Sequence, residues 1–286
     1  MAGTNTSTST AAIIEKVVSS IVQETLLQES ILIPTVQDMS SLIRPGMDTL
    51  KIPRFSALPV EDVTEGTDLT KNVSTVATDD LVMNINEAIH WAVSDKSMLQ
   101  DKVSLSVQLV KDGARNLAAS IDNKIVDQLI LASAAAPDHI VAFGTPSVIA
   151  IADITNARKL LNLANVPQAE RFMLVGPDQE AAMLNIDNFI SAEKYGSRDA
   201  LVNGEIGRVM GFTVVMSTSA SILATNAMFY HKSAVAYGSQ IAAKFETDRN
   251  ITALQDEFTL SQLFGCQILD LGKRNVLVNA DGIAPV

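Results

Sequence analysis

The chain has 286 residues, 47% of them hydrophobic and 19% charged, enough to bury roughly three quarters of the surface an unfolded chain exposes, so one or two domains need no covalent staples. Its 21 Lys and Arg stand against 32 Asp and Glu for a formal net charge of -11, which argues against a surface built to grip phosphates. One cysteine, Cys266, excludes an internal disulfide and the cysteine-rich zinc patterns and fits a reducing compartment, while neither a signal-peptide pattern nor an apolar run of ~20 residues is present to predict export or a membrane span.

Residues 1–10 are small and polar and are expected to form a mobile tail. A helix is predicted next: Ile13, Val17 and Ile21 recur every four residues beside Ile14, Val18, Val22 and Leu26, with Glu15, Lys16, Gln23 and Glu24 opposite. It is either an ordinary core helix or one that docks on a neighbouring subunit. Pro34 and then Pro45-Gly46 close this segment. From Thr49 to Val93 alternation and β-branched residues predict short strands at 50–55, 72–78 and 81–86. Between the first two lies Pro59-Val60-Glu61-Asp62-Val63-Thr64-Glu65-Gly66-Thr67-Asp68, acidic and rich in turn formers. It reads as a long projecting hairpin that needs a neighbour's cover, because an isolated two-stranded hairpin is marginal in water and an open edge invites pairing.

From about Asp95 to Ser133 one long helix or two nearly collinear ones are predicted, with Leu117, Ile121, Ile125 and Leu129 facing inward against Arg115, Asp122, Lys124 and Asp127. A coiled coil is the alternative, although no heptad holds throughout. Gly113 is the expected kink. Beyond Ala136-Pro137 the pattern becomes mixed. A helix capped by Asp153 carries Ile154, Ala157, Leu160 and Leu161; Arg171 to Val175 is a buried strand stopped by Gly176-Pro177; Asp178 caps a second helix reaching Phe189. Further strands are expected at 211–216, 227–231 and 234–237, with a β-rich stretch from Phe258 to Val278.

Catalysis would need a nucleophile beside a base, or a metal with several ligands. The three histidines, His90, His139 and His231, are scattered among a strand, a turn and a strand end and are read as structural or surface residues. Cys266 reads as a small core residue. Gly204, Gly207 and Gly211 do not make a dinucleotide loop, since the segment leads into the strand Phe212-Thr213-Val214-Val215-Met216 and Glu205 would repel phosphate. Gly204, Gly207, Arg208 and Gly211 instead mark a turn with tight backbone approach. The acidic cluster Glu61, Asp62, Glu65 and Asp68 lacks the spacing of a calcium loop and reads as a solvated or neighbour-facing surface.

These parts, in this order, resemble the Hong Kong 97-type capsid fold shared by tailed-bacteriophage major capsid proteins and encapsulins. The resemblance is carried by the order itself and by two segments, Asn165-Val166-Pro167-Gln168-Ala169-Glu170-Arg171-Phe172-Met173-Leu174-Val175-Gly176-Pro177 and Gly204 to Ser217, which are similar to the axial-domain signature of many phage capsid sequences. It implies an α+β chain divided into an N-terminal arm (1–47), an extended hairpin loop (48–92), a peripheral domain with the spine helix (93–150), an axial domain (151–250) and a β-rich return to the peripheral domain (251–286). It implies a protein without enzymatic activity or cofactor that assembles as hexamers and pentamers into an icosahedral shell around phage double-stranded DNA. The expected partners are copies of itself, a separate scaffolding protein, a portal protein and a decoration protein, with no membrane. The expected location is the virion capsid, reached from the host cytoplasm. Inter-subunit contacts are expected at Phe55, Glu61, Asp62, Glu65, Asp68 and Lys71, the last being the candidate donor where relatives crosslink Lys to Asn. Two other classes stay open: an encapsulin-like shell around a protein cargo, and an acidic oligomeric enzyme or binding protein.

Overall fold

The computed structural model describes residues 30–56, 58–63, 65–66, 68, 71–100, 105–133, 138–144, 148–184, 207–218, 226–280 and 282. The polar tail, the helix expected at 13–26, Gly204 and the stretch toward Phe189 lie outside these residues. In chain order the strands are β1 (Gln37–Asp38), β2 (Thr49–Phe55), β3 (Val76–Val82), β4 (Ile85–Ser94), β5 (Ile140–Ala142), β6 (Arg171–Val175), β7 (Arg208–Val209), β8 (Phe212–Met216), β9 (Ala227–His231), β10 (Val235–Asn250), β11 (Gln255–Ile268) and β12 (Asn275–Asn279). The helices are α1 (Asp95–Gln100), α2 (Leu105–Leu129), α3 (Ile151–Leu163) and α4 (Pro177–Leu184).

A six-stranded mixed sheet, ordered β5-β12-β9-β6-β8-β7, forms the centre. Side chains alternate between its faces, and both faces are covered. Met173, Val175, Phe229, Val276 and Val278 join a core with Ile154, Leu161, Met183 and Phe212, under α3 and α4. Leu174, Met228, Tyr230 and Leu277 join a second core with Ile121, Ile125 and Leu129 of α2. A sheet buried on both faces reads as continuous apolar runs such as Phe172-Met173-Leu174-Val175. The four-stranded sheet β1-β10-β11-β4 packs the inner residues Trp91, Phe245, Phe258, Leu260 and Phe264 against the same α2 core. Trp91 stacks on Phe258 at 5.8 Å.

The described parts of the long helical stretch are α1 and α2, and α2 alone, with 25 residues, spans about 38 Å. It runs unbroken through Gly113. A Cβ there would lie 3.7 Å from both Trp91 and Leu260, so the glycine marks close helix-to-sheet packing and not a kink. α2 stops at Leu129, short of Ser133, where the Asn275 side chain donates 2.6 Å to the Leu129 carbonyl and serves as a cap.

Asp153 sits inside α3, not at its cap. Ala150 occupies the cap position, and the Asp153 carboxylate accepts from the Ala150 N–H at 2.9 Å and the Gly144 N–H at 3.0 Å. Asp178 likewise follows Pro177 within the first turn of α4, where a carboxylate favours the helix dipole. Residues 72–75 precede β3, which starts at Val76, and the strand expected at 81–86 is split between β3 and β4.

The short strand expected at 234–237 opens the 16-residue β10. Register shifts between Ser239 and Ile241 and between Ile241 and Lys244 interrupt its pairing with β11, so the sequence beyond the apolar start of the strand carries no continuous period of two. The expected boundary at 250 falls inside the β10–β11 hairpin, and β12, from the expected 251–286 segment, pairs with β5 and β9 in the central sheet.

Candidate assembly surface

The β2–β3 hairpin pairs Thr49 with Val82 through Phe55 with Val76 and belongs to neither large sheet. Its root is anchored. Leu50, Ile52 and Leu81 pack with Met83, Ala236, Leu269, Met39 and Ile43. Beyond Ile52 the cover ends: Phe55 is 66% exposed, Val60 97% and Val73 85%, with Leu58, Val63 and Val76 also exposed. Both strands present an outer edge, and Pro53 in β2 contributes no N–H to one of them.

The expected contact residues all fall on this element. Phe55 ends β2, while Glu61, Asp62, Glu65, Asp68 and Lys71 are exposed in the connection to β3. Asn72 Nδ2 donates 3.0 Å to Glu61 Oε1. Among the described residues no group of three or more His, Cys, Asp or Glu could hold a metal ion.

Gly207, Arg208 and Gly211 lie around the two-residue hairpin between β7 and β8. Met210 and Gly211 both have positive φ, 47° and 91°, as a type I′ turn requires. A Cβ on Gly207 or Gly211 would meet nothing within 4 Å. The demand at Gly211 is therefore conformational, correcting the expectation of a tight backbone approach. Arg208 Nε reaches Thr213 Oγ1 at 3.4 Å across this hairpin.

The Asn165 to Pro177 segment owes its shape to Arg171, which is buried. Its guanidinium donates to the carbonyls of Pro167 at 2.7 Å and Val166 at 2.6 Å and to Asn162 Oδ1 at 2.9 Å. Asn165, in the left-handed region at φ 55°, ends α3 while the Val166 N–H returns to the Leu161 carbonyl at 3.0 Å, the closure that Asn or Gly permits.

The histidines are dispersed. His139 is buried, its Nδ1 2.8 Å from the Asn275 carbonyl. His90 Nδ1 meets Thr259 Oγ1 at 3.0 Å on an exposed strand face. His231 Nδ1 accepts from the Ser233 N–H at 3.1 Å and lies 2.8 Å from its hydroxyl, closing a short turn beside a pocket of about 280 Å³ lined by Gln37, Glu170, His231, Lys232 and Ser233. Burial pushes the Cys266 thiol up to about 12, so it is not a thiolate nucleophile at neutral pH. No helix among the described residues is long and apolar enough to cross a membrane.

One polar site is absent from the sequence reading. Asp122, assigned there to the outer face of α2, is buried, and its carboxylate accepts from Ser30 Oγ at 2.7 Å, the Ile31 N–H at 3.0 Å and the Leu32 N–H at 3.2 Å. Thr35 then meets the Tyr230 hydroxyl at 2.8 Å, so the segment leading into β1 is tied to both α2 and the central sheet. The signal was available: Ala118, Asp122 and Val126 form an i, i+4, i+8 row within the buried stripe.

A family model described as phage capsid protein matches residues 50–259, from the root of the hairpin to the middle of β11. The chain belongs to the phage capsid protein family. Among solved structures the capsid protein is similar to one titled Mycobacterium phage Che8, with 24% identity, a TM-score of 0.74 and coverage of 89% of this chain and 92% of that one. It is also similar to the mature capsid of bacteriophage PhiM1 (12% identity, TM-score 0.69, 89% and 88% covered) and to the capsid of cyanophage P-SCSP1u (14%, 0.67, 86% and 86%). Those likenesses show the Hong Kong 97-type α+β fold across most of the chain. No curated protein matches it. It is a structural shell protein of the virion, and its relevant chemistry is that of a surface that meets other copies.

Proposed function

We propose that this capsid protein gathers as hexamers and pentamers that close into an icosahedral shell around phage double-stranded DNA, with the β2–β3 hairpin laid across a neighbouring subunit. The observation that carries this reading is the apolar hairpin surface. Phe55, Leu58, Val60, Val63, Val73 and Val76 are 57 to 97% exposed, and fully burying one such side chain is worth about 1.5–3 kcal/mol. A monomer leaves that energy unused. The carboxylates Glu61, Asp62 and Glu65, with Asp68, then face Lys or Arg of the neighbour, and Lys71 is the candidate donor only if neighbours are crosslinked. The net charge of -11 fits a wall that encloses DNA without gripping it. On family membership the reading extends to scaffolding, portal and decoration proteins as partners and to assembly in the host cytoplasm.

Electron microscopy of the expressed chain, alone and with its neighbouring gene products, tests this directly. Closed shells or capsomer-sized oligomers are expected, and sedimentation as a compact monomer under every condition would overturn the reading. Particles that hold a protein cargo and no nucleic acid would assign the shell to the encapsulin class.

A further inference from the structure

The hairpin meets the body at an ionic junction. Arg54 on β2 lies with its Nη1 3.8 Å from Asp79 Oδ1 on β3 and 3.7 Å from Asp270 Oδ1 in the connection between β11 and β12. The Asp270 N–H donates 2.9 Å to Asp79 Oδ2, and Arg274 Nε lies 3.4 Å from Asp270 Oδ2. The network balances two cations against two anions, and its side chains are 12 to 38% exposed, so solvent and salt screen it less than a fully exposed pair.

The two arms of Arg54 are not equivalent. Asp79 moves with the hairpin, so the Arg54–Asp79 pair is indifferent to the hairpin's angle. Asp270 belongs to the body, so the Arg54–Asp270 pair and the Asp270–Asp79 hydrogen bond span the joint. Arg54 Nη1 is buried yet donates no hydrogen bond, and both carboxylates wait just outside hydrogen-bonding range, where a small rotation of the hairpin converts proximity into a direct bond.

The body side of the joint is held stiffly. Asp270, Leu271 and Gly272 are all left-handed, at φ 53°, 54° and 70°, a costly conformation for the two non-glycine residues. A Cβ on Gly272 would lie 2.4 Å from the Leu131 carbonyl oxygen, so this turn is wedged against the end of α2 and fixes Asp270 in space.

We propose that Arg54 is a positioning residue whose guanidinium, shared between Asp79 of the hairpin and Asp270 of the wedged turn, sets the angle at which the hairpin leaves the body. That angle fixes the geometry in which the hairpin meets a second copy of this chain. The second statement rests on the shell reading above; the first concerns the free chain alone.

The test uses the full chain with spin labels on Val76→Cys and Lys244→Cys, exposed positions on the hairpin and on β10, Cys266 being buried and unreactive. Arg54→Met keeps the aliphatic stem and removes the charge. Asp270→Asn removes the charge and retains a residue that tolerates positive φ. Arg54→Lys restores the charge. Severalfold broadening of the label-to-label distance distribution is expected in Arg54→Met and Asp270→Asn, with partial recovery in Arg54→Lys, and near-ultraviolet circular dichroism should stay that of the parent chain. The same two variants should lose closed shells while Arg54→Lys regains them.

An unchanged distance distribution in both variants would overturn the clamp. Broadened distances with normal shells would leave a clamp without a role in assembly and overturn the positioning claim. Failure of the parent chain to assemble would count against the shell reading and leave the distance result to stand or fall by itself.

Discussion

The central sheet and the β2–β3 hairpin are both made of short strands rich in β-branched residues, yet they end in opposite environments. β9 and β12 are buried along their whole lengths, because successive side chains enter two different cores. β3 buries one residue of seven. The body buries its apolar surface on folding, whereas the hairpin carries a comparable kind of surface past its anchored root and leaves it exposed. On the assembly proposed above, burial is divided between two events, folding and association. Substitutions in the two regions should therefore separate cleanly into those that act on the protomer and those that act on the shell.

The largest effect on the protomer is expected in the middle of the central sheet. Phe229 is fully buried and meets Phe212 edge to face at 5.2 Å, so Phe229→Ala should cost about 3–5 kcal/mol and most of the soluble yield. Val60→Ser, at the most exposed apolar position of the hairpin, should shift protomer stability by less than about 0.5 kcal/mol. Urea unfolding of the two purified variants gives the comparison, and a similar loss from both would break it.

A smaller effect sharpens the comparison at the edge of the body. Gly211 and Gly282 both have positive φ, 91° and 65°, but only Gly282 faces a neighbour: a Cβ there would lie 2.9 Å from the Ala142 nitrogen. Of the two positions Gly282 is therefore the more demanding. Gly282→Val combines a forbidden backbone with a clash and should cost about 2–4 kcal/mol, against about 1–2 kcal/mol for Gly211→Val. Thermal melting of both variants checks the order.

A third test asks whether the body is held by apolar packing alone. Burial pushes the Asp122 carboxyl above the ordinary aspartate range, against the opposing pull of the hydrogen bonds from Ser30, Ile31 and Leu32. Between the unfolded value near 4 and the raised folded value, the native state holds a proton that the unfolded chain has released. The contribution of this group is therefore fully present below about pH 4 and is lost as the pH rises through the folded value. The stability difference between the parent chain and Asp122→Asn should change in that direction across the window, and a difference that is flat with pH would remove the argument.

What could be read in the sequence follows the same division. Strong local signals survived: the four-residue apolar spacing of α2, the apolar run of β6 and the acidic, turn-rich connection after β2 each predicted their element. Signals that depend on a distant partner did not. Asp122 looks like a solvated helix residue until Ser30 is brought beside it. Gly113 looks like a helix breaker until α2 is seen to run through it with Trp91 and Leu260 in contact, and β12 looks like part of the β11 sheet until β5 and β9 pair with it on both sides. Arg54 and Asp270 are more than 200 positions apart, so no spacing rule could join them.

The smallest expected effect on the protomer is also the one that decides the comparison. Replacing residues 57–69 with a short Gly-Ser turn removes Leu58, Val60 and Val63 together with Glu61, Asp62, Glu65 and Asp68, and leaves the anchoring residues Leu50, Ile52 and Leu81 in place. Leu58, Val60 and Val63 belong to no core cluster, so the midpoint of urea unfolding should move by less than about 0.5 kcal/mol equivalent. Shells, by contrast, should fail to close, because the shortened chain has lost the apolar surface proposed to lie on its neighbour. The carboxylates lost with it predict a graded version of the same result: in the parent chain, contacts from Glu61, Asp62, Glu65 and Asp68 to a cationic neighbour should weaken as ionic strength is raised from about 0.1 to 1 M, over which the screening length falls from about 10 to 3 Å. Electron microscopy of the shortened chain beside the parent, each also assembled in high salt, reads both effects. Normal shells from the shortened chain would return the hairpin to the status of a decoration and move the search for the interlocking surface back onto the body.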